Sequence, residues 1–355
     1  MSSDTVATRV SPATLIDAPD DLDAINKLYR DKRWGDGLPI VPPTEARVAR
    51  MLAALPQRPR DVVVASLAPA FNAATVERIA INAVMAGCEP ALMAPLVAAV
   101  EAMAATEFNL QALQATTNPV AVWIVVNGPA AVELGFNGTY NCLGEGTWAN
   151  ATLGRALRLI LRNVGGALPG DLDRATHGQP GRYSFCCAEN AATTPWEPLH
   201  VERGFAAGAS TVTVVGAEGT LNLNSHSKDA NELVQVFAES MMHPPSNEYT
   251  HGGEPWIVIG PEHAEIFRRA GCSKADVKAK LWEASRMRGS RMATRDFERA
   301  VQSRRKELGE ITPDTLLPIA PAPADIGIVV AGGPGTHSVY VPCFGNSRAV
   351  TRAFA

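Results

Sequence analysis

The chain has 355 residues, of which 46% are hydrophobic, enough core material for one large or two ordinary globular domains. Thirty-six acidic against 32 basic side chains leave a formal net charge of −4, which excludes the basic bias of a nucleic-acid or anionic-membrane binder. Six cysteines with no CxxC spacing exclude a disulfide framework, so reduced thiols are expected.

Residues 1–57 form an N-terminal arm. Its opening, MSSDTVATRVSPATLIDAPDD, carries no apolar run suited to a signal peptide. The longest apolar stretches, such as PALMAPLVAAVEAMAA, are shorter than the ~20 residues a membrane span needs, and a cytoplasmic location is expected. Residues 20–33 have the apolar spacing of an amphipathic helix. WGDGLPIVPPT (34–44) is then extended, because its three prolines fix their own φ and disfavour helix in the residues before them.

Residues 58–170 and 208–355 read as two copies of one unit. PVAVWIVVNGPAAVELGF (119–136) is echoed by GEPWIVIGPEHAEIFRRAG (253–271), each a Trp-led strand, a Gly-Pro turn and a helix. Proline suits the first helical position because its missing N–H has no partner there. LVAAVEAM (96–103) matches LVQVFAESM (233–241) as the helix before each strand. DVVVASLAP (61–69) matches STVTVVGAEG (210–219) as a strand running into a loop. The fold class expected is α/β, with an internally duplicated strand–helix–strand–helix core, the N-terminal helical arm and a C-terminal strand pair. Halves packed about a pseudo-twofold would leave a cleft at their interface, a favoured ligand site.

The halves differ after the Gly-Pro helix. In the second, GCSKADVK turns directly into the next helix, with Ser273 and Asp276 as a capping box. In the first, the connection swells to FNGTYNCLGEGTWAN before a helix at 149–164, and such an expanded loop is where function is expected. Residues 171–207 form a crossover that contains FCCAENAATTPWEPLH (185–200), a stretch with neither helical nor strand periodicity. Further on, 294–308 reads as a charged helix, and DIGIVVAGGPGTHSVYVP (325–342) as strand, glycine loop and strand.

Four residues are catalytic candidates. Cys142, shortly before a helix start, reads either as a nucleophile with a lowered pKa or as a small buried filler. Cys187 carries the same two readings, and along an extended chain only one of Cys186 and Cys187 can face a given cleft. Glu197, before Pro198, is expected to cap a short helix that bears His200 and Arg203. His200 beside Glu189 or Glu197 would make a general acid–base pair, the carboxylate fixing the imidazole tautomer. A capping glutamate and a surface histidine are the plainer alternative.

Arg155, Arg158 and Arg162 share one stripe of helix 149–164, and their planar forks suit a carboxylate or phosphate. Internal ion pairs with the acids of 171–173 and 197–202 are the competing reading. Trp196, between Pro195 and Pro198, is expected to wall the cleft. His337 and Ser338 close AGGPGTHS, whose backbone N–H groups can form an anion nest although the spacing is not that of a P-loop. The seven histidines include no HxH or HExxH spacing, so no cofactor and no metal ligands are predicted, with a site assembled from distant residues left open.

WGDGLPIVPPT, INAVMAGCEP, QATTNPV, ANATLGRALRLILRNVGG, DRATHGQPGRYSFCCAEN, PWEPLHVERGF and AGGPGTHS together resemble a bacterial family with no assigned activity, associated with the UGSC-like (seleno)proteins. The resemblance covers most of the chain. The UGSC motif itself is absent, so the resemblance implies no redox role.

The residues point to an enzyme acting on a small polar, carboxylate-bearing molecule by hydrolase or lyase chemistry. A thiol, a Glu–His pair or both would do the work at the interface of the two repeats. The alternative is a non-catalytic ligand-binding protein or partner subunit; a redox role is a third reading, weakened by the missing CxxC geometry. A small-molecule substrate, no nucleic acid, no membrane, and a homo-oligomer or companion subunit are the partners expected.

Overall fold

AVWIVVN, the strand Ala121–Asn127, is apolar at every position but the last, with no polar side left for water. A run of this kind forms a strand that is covered on both faces. Ala121, Trp123 and Val125 point to one side, and Ile124 and Val126 to the other. The computed structural model, which describes residues 11–244 and 246–355, supplies a core on each side.

Two four-stranded sheets pack face to face, and helices cover the outer face of each. The first sheet runs Val350–Phe354, Ser210–Ala217, Ala121–Asn127, Cys186–Ala188. The second runs Leu221–Asn224, His337–Val341, Trp256–Ile259, Gly327–Val330. In both, only the last-named pair is parallel. Helices Val76–Ala86, Met93–Met103 and Trp148–Asn163 bury their apolar faces on the first sheet. Ala230–Met241, Pro261–Arg269 and Lys274–Ala284 do the same on the second. Between the sheets Trp123 meets Trp256 edge-on at 5.7 Å and stacks on Phe185 at 5.6 Å. The fold is α/β.

The expected repeat does not describe how the sheets are related. Among the described residues Val62–Leu67 pairs only with Asn72–Thr75 in a separate hairpin, whereas Ser210–Ala217 lies inside the first sheet. These two segments are therefore not equivalent. The strands in like places are Ala121–Asn127 and Trp256–Ile259, each between a parallel and an antiparallel neighbour. Residues 208–355 contribute strands to both sheets. The chain leaves the first sheet after Ala217, enters the second at Leu221–Asn224, and returns from it at Val350–Phe354. There the Thr213 and Thr351 hydroxyls meet at 2.9 Å in the core.

The arm follows its sequence: a helix Leu22–Asp31, whose cap Asp21 accepts from the Ala24 N–H at 2.7 Å, then an irregular stretch, then a helix Glu45–Leu52. The Ser273–Asp276 capping box is formed. The stretch 185–200 is more regular than its lack of periodicity suggests. It contains the strand Cys186–Ala188, too short to show an alternation, and the start of a helix Leu199–Glu202. No single helix among the described residues is long and apolar enough to cross a membrane.

Candidate functional site

The parallel strands Ala121–Asn127 and Cys186–Ala188 end at the same edge of the first sheet, and the chemistry-bearing segments gather there. Alternation sends Cys186 toward the helices and Cys187 into the layer between the sheets. Burial pushes the Cys186 thiol up. Cys187 is pushed up as well, first by the Cys142 sulfur beside it and then by burial. The indole N–H of Trp123, which has no hydrogen-bond partner among the described residues, faces the Cys187 sulfur.

Cys142 belongs to the expanded loop. Asn150, on the first turns of helix Trp148–Asn163, ties that loop down from below. Its Oδ1 accepts from the Asn137 N–H at 2.9 Å, and its Nδ2 donates to the carbonyls of Asn137 and Cys142 at 3.0 and 3.1 Å. Asn141 adopts φ 57°, and the backbone N–H groups of Cys142 and Leu143 favour the charged form of the Cys142 sulfur. The Cys187 thiol holds Cys142 below the ordinary thiol value, and those two N–H groups add to the effect against the opposing cost of burial. The sulfurs are neighbours rather than an aligned hydrogen-bonded pair. Cys142 is 5% exposed, while Tyr140 in the loop above it is 67% exposed.

Three stretches are stitched together at this point. Ala188 N donates to Asn137 O at 3.0 Å, Asn190 N to Val330 O at 2.7 Å, and Gly332 N to Gly138 O at 2.8 Å. A side chain at Gly138 would run into the Ala188 carbonyl, so glycine is what permits this approach. Glu189 is 6% exposed. Its Oε2 accepts from Asn127 Nδ2 at 2.5 Å and from the Leu199 N–H at 2.8 Å. Its Oε1 is buried with no partner among the described residues, and desolvation raises its pKa.

The other expected site residues lie elsewhere. His200 is buried, with Nε2 3.2 Å from Ala207 O, and it pairs with neither Glu189 nor Glu197. Its helix is capped by Pro198 rather than Glu197, and Lys274 Nζ holds the Glu197 carbonyl at 2.7 Å. Trp196 packs against the helical core of the second sheet and donates to Cys272 O at 3.0 Å, so it walls no cleft at Cys142. Arg155 is bidentate on Asp36, at 2.7 and 2.9 Å, and Arg158 grips Asp173 at 2.7 Å. Both are internal ion pairs and neither reaches Glu189. Ser338 is buried: it accepts from the Gly260 N–H at 3.0 Å and donates to His263 Nδ1 at 2.8 Å, since His263 Nε2 must donate to Ser225 O. His337 is exposed beside Asn222, at 3.1 Å.

Among the described residues no group of three or more His, Cys, Asp or Glu is placed to share a metal ion. Sequence reasoning missed Asn127 and Asn150, whose only signal was a polar residue ending an apolar strand or opening an apolar helix face. No family model, curated protein or solved structure matches the chain.

Proposed function

We propose that the chain is a thiol-dependent enzyme acting on a small polar molecule by hydrolase or lyase chemistry, with Cys142 as its nucleophile. The observation that carries this reading is the Cys142–Cys187 pair at the meeting point of 137–142, 187–190 and 330–332. Within the pair Cys142 is lowered and Cys187 raised, so Cys187 keeps its proton and the thiolate character falls on Cys142. Two backbone N–H groups stabilise that charge without any histidine. Glu189 follows Cys187 by two residues, on the same face of the extended chain and roughly 7 Å further along it. Its raised pKa suits a carboxyl that gives its proton to a leaving group while the Cys142 sulfur attacks an electrophilic carbon. Pairing of Arg155 and Arg158 to Asp36 and Asp173 removes their support for a carboxylate-bearing substrate.

The alternative, a non-catalytic ligand-binding protein or partner subunit, draws on the closure of the site, where Cys187 is 0% exposed. Turnover of a panel of activated esters, thioesters and β-elimination substrates separates the two. Cys142→Ser and Glu189→Gln should each lose ~10²-fold or more in rate with unchanged melting curves. Variants as active as the parent would leave the thiol as packing.

A further inference from the structure

The third arginine of the stripe differs from the first two. Arg162 lines a cavity of about 260 Å3 between helix Leu22–Asp31, the WGDGLPI stretch and the last turn of helix Trp148–Asn163. Arg30 and Arg33 line the same cavity, with Tyr29 and the backbone of Gly35 and Gly37. Asp36 also lies on the wall, but both its oxygens are committed to Arg155. Asp173, the other carboxylate felt by Arg162, is committed to Arg158 and Arg182.

Two of the three guanidinium groups are held by carbonyls instead of carboxylates. Arg162 Nη2 donates to Arg33 O at 3.2 Å, and Arg33 Nη2 to Pro169 O at 3.1 Å. Arg162 Nε is buried with no partner among the described residues. Burial and the neighbouring Arg33 lower the Arg162 pKa, with Asp36 and Asp173 acting in the opposite direction. In a chain with a net charge of −4 this cluster is not a reflection of bulk composition.

We propose that this cavity binds a small, multiply charged oxyanion of the phosphate class, held by Arg30, Arg33 and Arg162. Planar forks match tetrahedral oxyanions in pairs of parallel hydrogen bonds. The site is separate from the thiol. Cys142 precedes the opposite end of helix Trp148–Asn163, a span of roughly 20 Å at 1.5 Å per residue.

The test is calorimetric titration of the full chain at low ionic strength with inorganic phosphate, pyrophosphate and citrate. One saturable site for phosphate or pyrophosphate is expected, tighter for the more highly charged pyrophosphate. Arg162→Met and Arg33→Met should each weaken it about tenfold or more, the scale of one charge-assisted hydrogen bond. Arg174→Met, outside the cavity, and Cys142→Ser should leave it unchanged, which keeps the result independent of the thiol reading. If Arg162→Met does not fold, Arg33→Met decides, because its side chain is exposed. No saturable binding up to roughly 10 mM, binding of citrate alone, or undiminished binding by the two cavity variants would overturn the proposal.

Discussion

Asp173→Asn should destabilise the chain severely although it removes only a charge. The carboxylate is 1% exposed and accepts from Arg158 Nη2 at 2.7 Å, Arg182 Nη1 at 3.1 Å and the Ala175 N–H at 3.2 Å. Burial lowers Arg158 to about 10, so at neutral pH the guanidinium stays charged; Gln114 Oε1 accepts from its Nη1 at 3.1 Å, but Asp173 is the carboxylate that balances its charge. Asparagine keeps the volume and creates no cavity, yet leaves two buried guanidinium groups facing each other. Breaking a buried pair on one side costs about 3–5 kcal/mol. At a few degrees per kcal/mol for a chain of this size, the melting point should fall on the order of 10 °C. Urea unfolding of Asp173→Asn, Arg158→Met and the double variant measures this. The double variant should recover part of the loss, because one of the stranded cations is gone. A single Asp173→Asn change worth less than about 1 kcal/mol would refute the assignment of Arg158 as a structural residue and return it to substrate binding.

Stability should fall with rising pH through the neutral range. Burial raises Glu218 from 4.5 to about 8 and Glu248 from 4.5 to about 7. Each fold-bound proton is one the unfolded chain has already released above 4.5, so stability is lost from there up to about 8 and levels beyond it. Glu218→Gln should flatten the part of a melting-point profile between pH 7 and 8, and an unchanged slope would count against it. Trp123→Ala should cost about 3–5 kcal/mol in urea unfolding, since the ring fills the layer between the sheets against Trp256 and Phe185. A loss below about 1 kcal/mol would mean the two sheets do not depend on that contact.

Much of this fold was legible in the chain. The doubly buried strands announced themselves as apolar runs without alternation, and the Gly-Pro turns and the Ser273–Asp276 box marked helix starts. What local pattern could not carry was the exchange of strands between sheets: nothing in LNLN or VTRAF says which sheet it joins. Matching of 61–69 to 210–219 failed because two strands can share composition while one closes a hairpin and the other sits in a sheet. At the site, adjacency of Cys186 and Cys187 implied opposite faces, which holds. That Cys142 would come to lie beside Cys187, 45 positions on, rests on long-range packing. Spacing on a helix placed three arginines on one stripe but could not tell that Asp36 and Asp173 claim two of them.

The central claim is that Cys142 is the activated thiol and Cys187 the reason. Peptide-resolved mass spectrometry after short pulses of iodoacetamide, from pH 5 to 10, gives the alkylation rate of each cysteine. The Cys142 midpoint is predicted to lie below the ordinary thiol value of 9.0, and Cys187→Ala should raise it, because Cys187 is the largest cause of the lowering. A Cys142 midpoint at or above 9.0, or one that Cys187→Ala leaves in place, would contradict the claim.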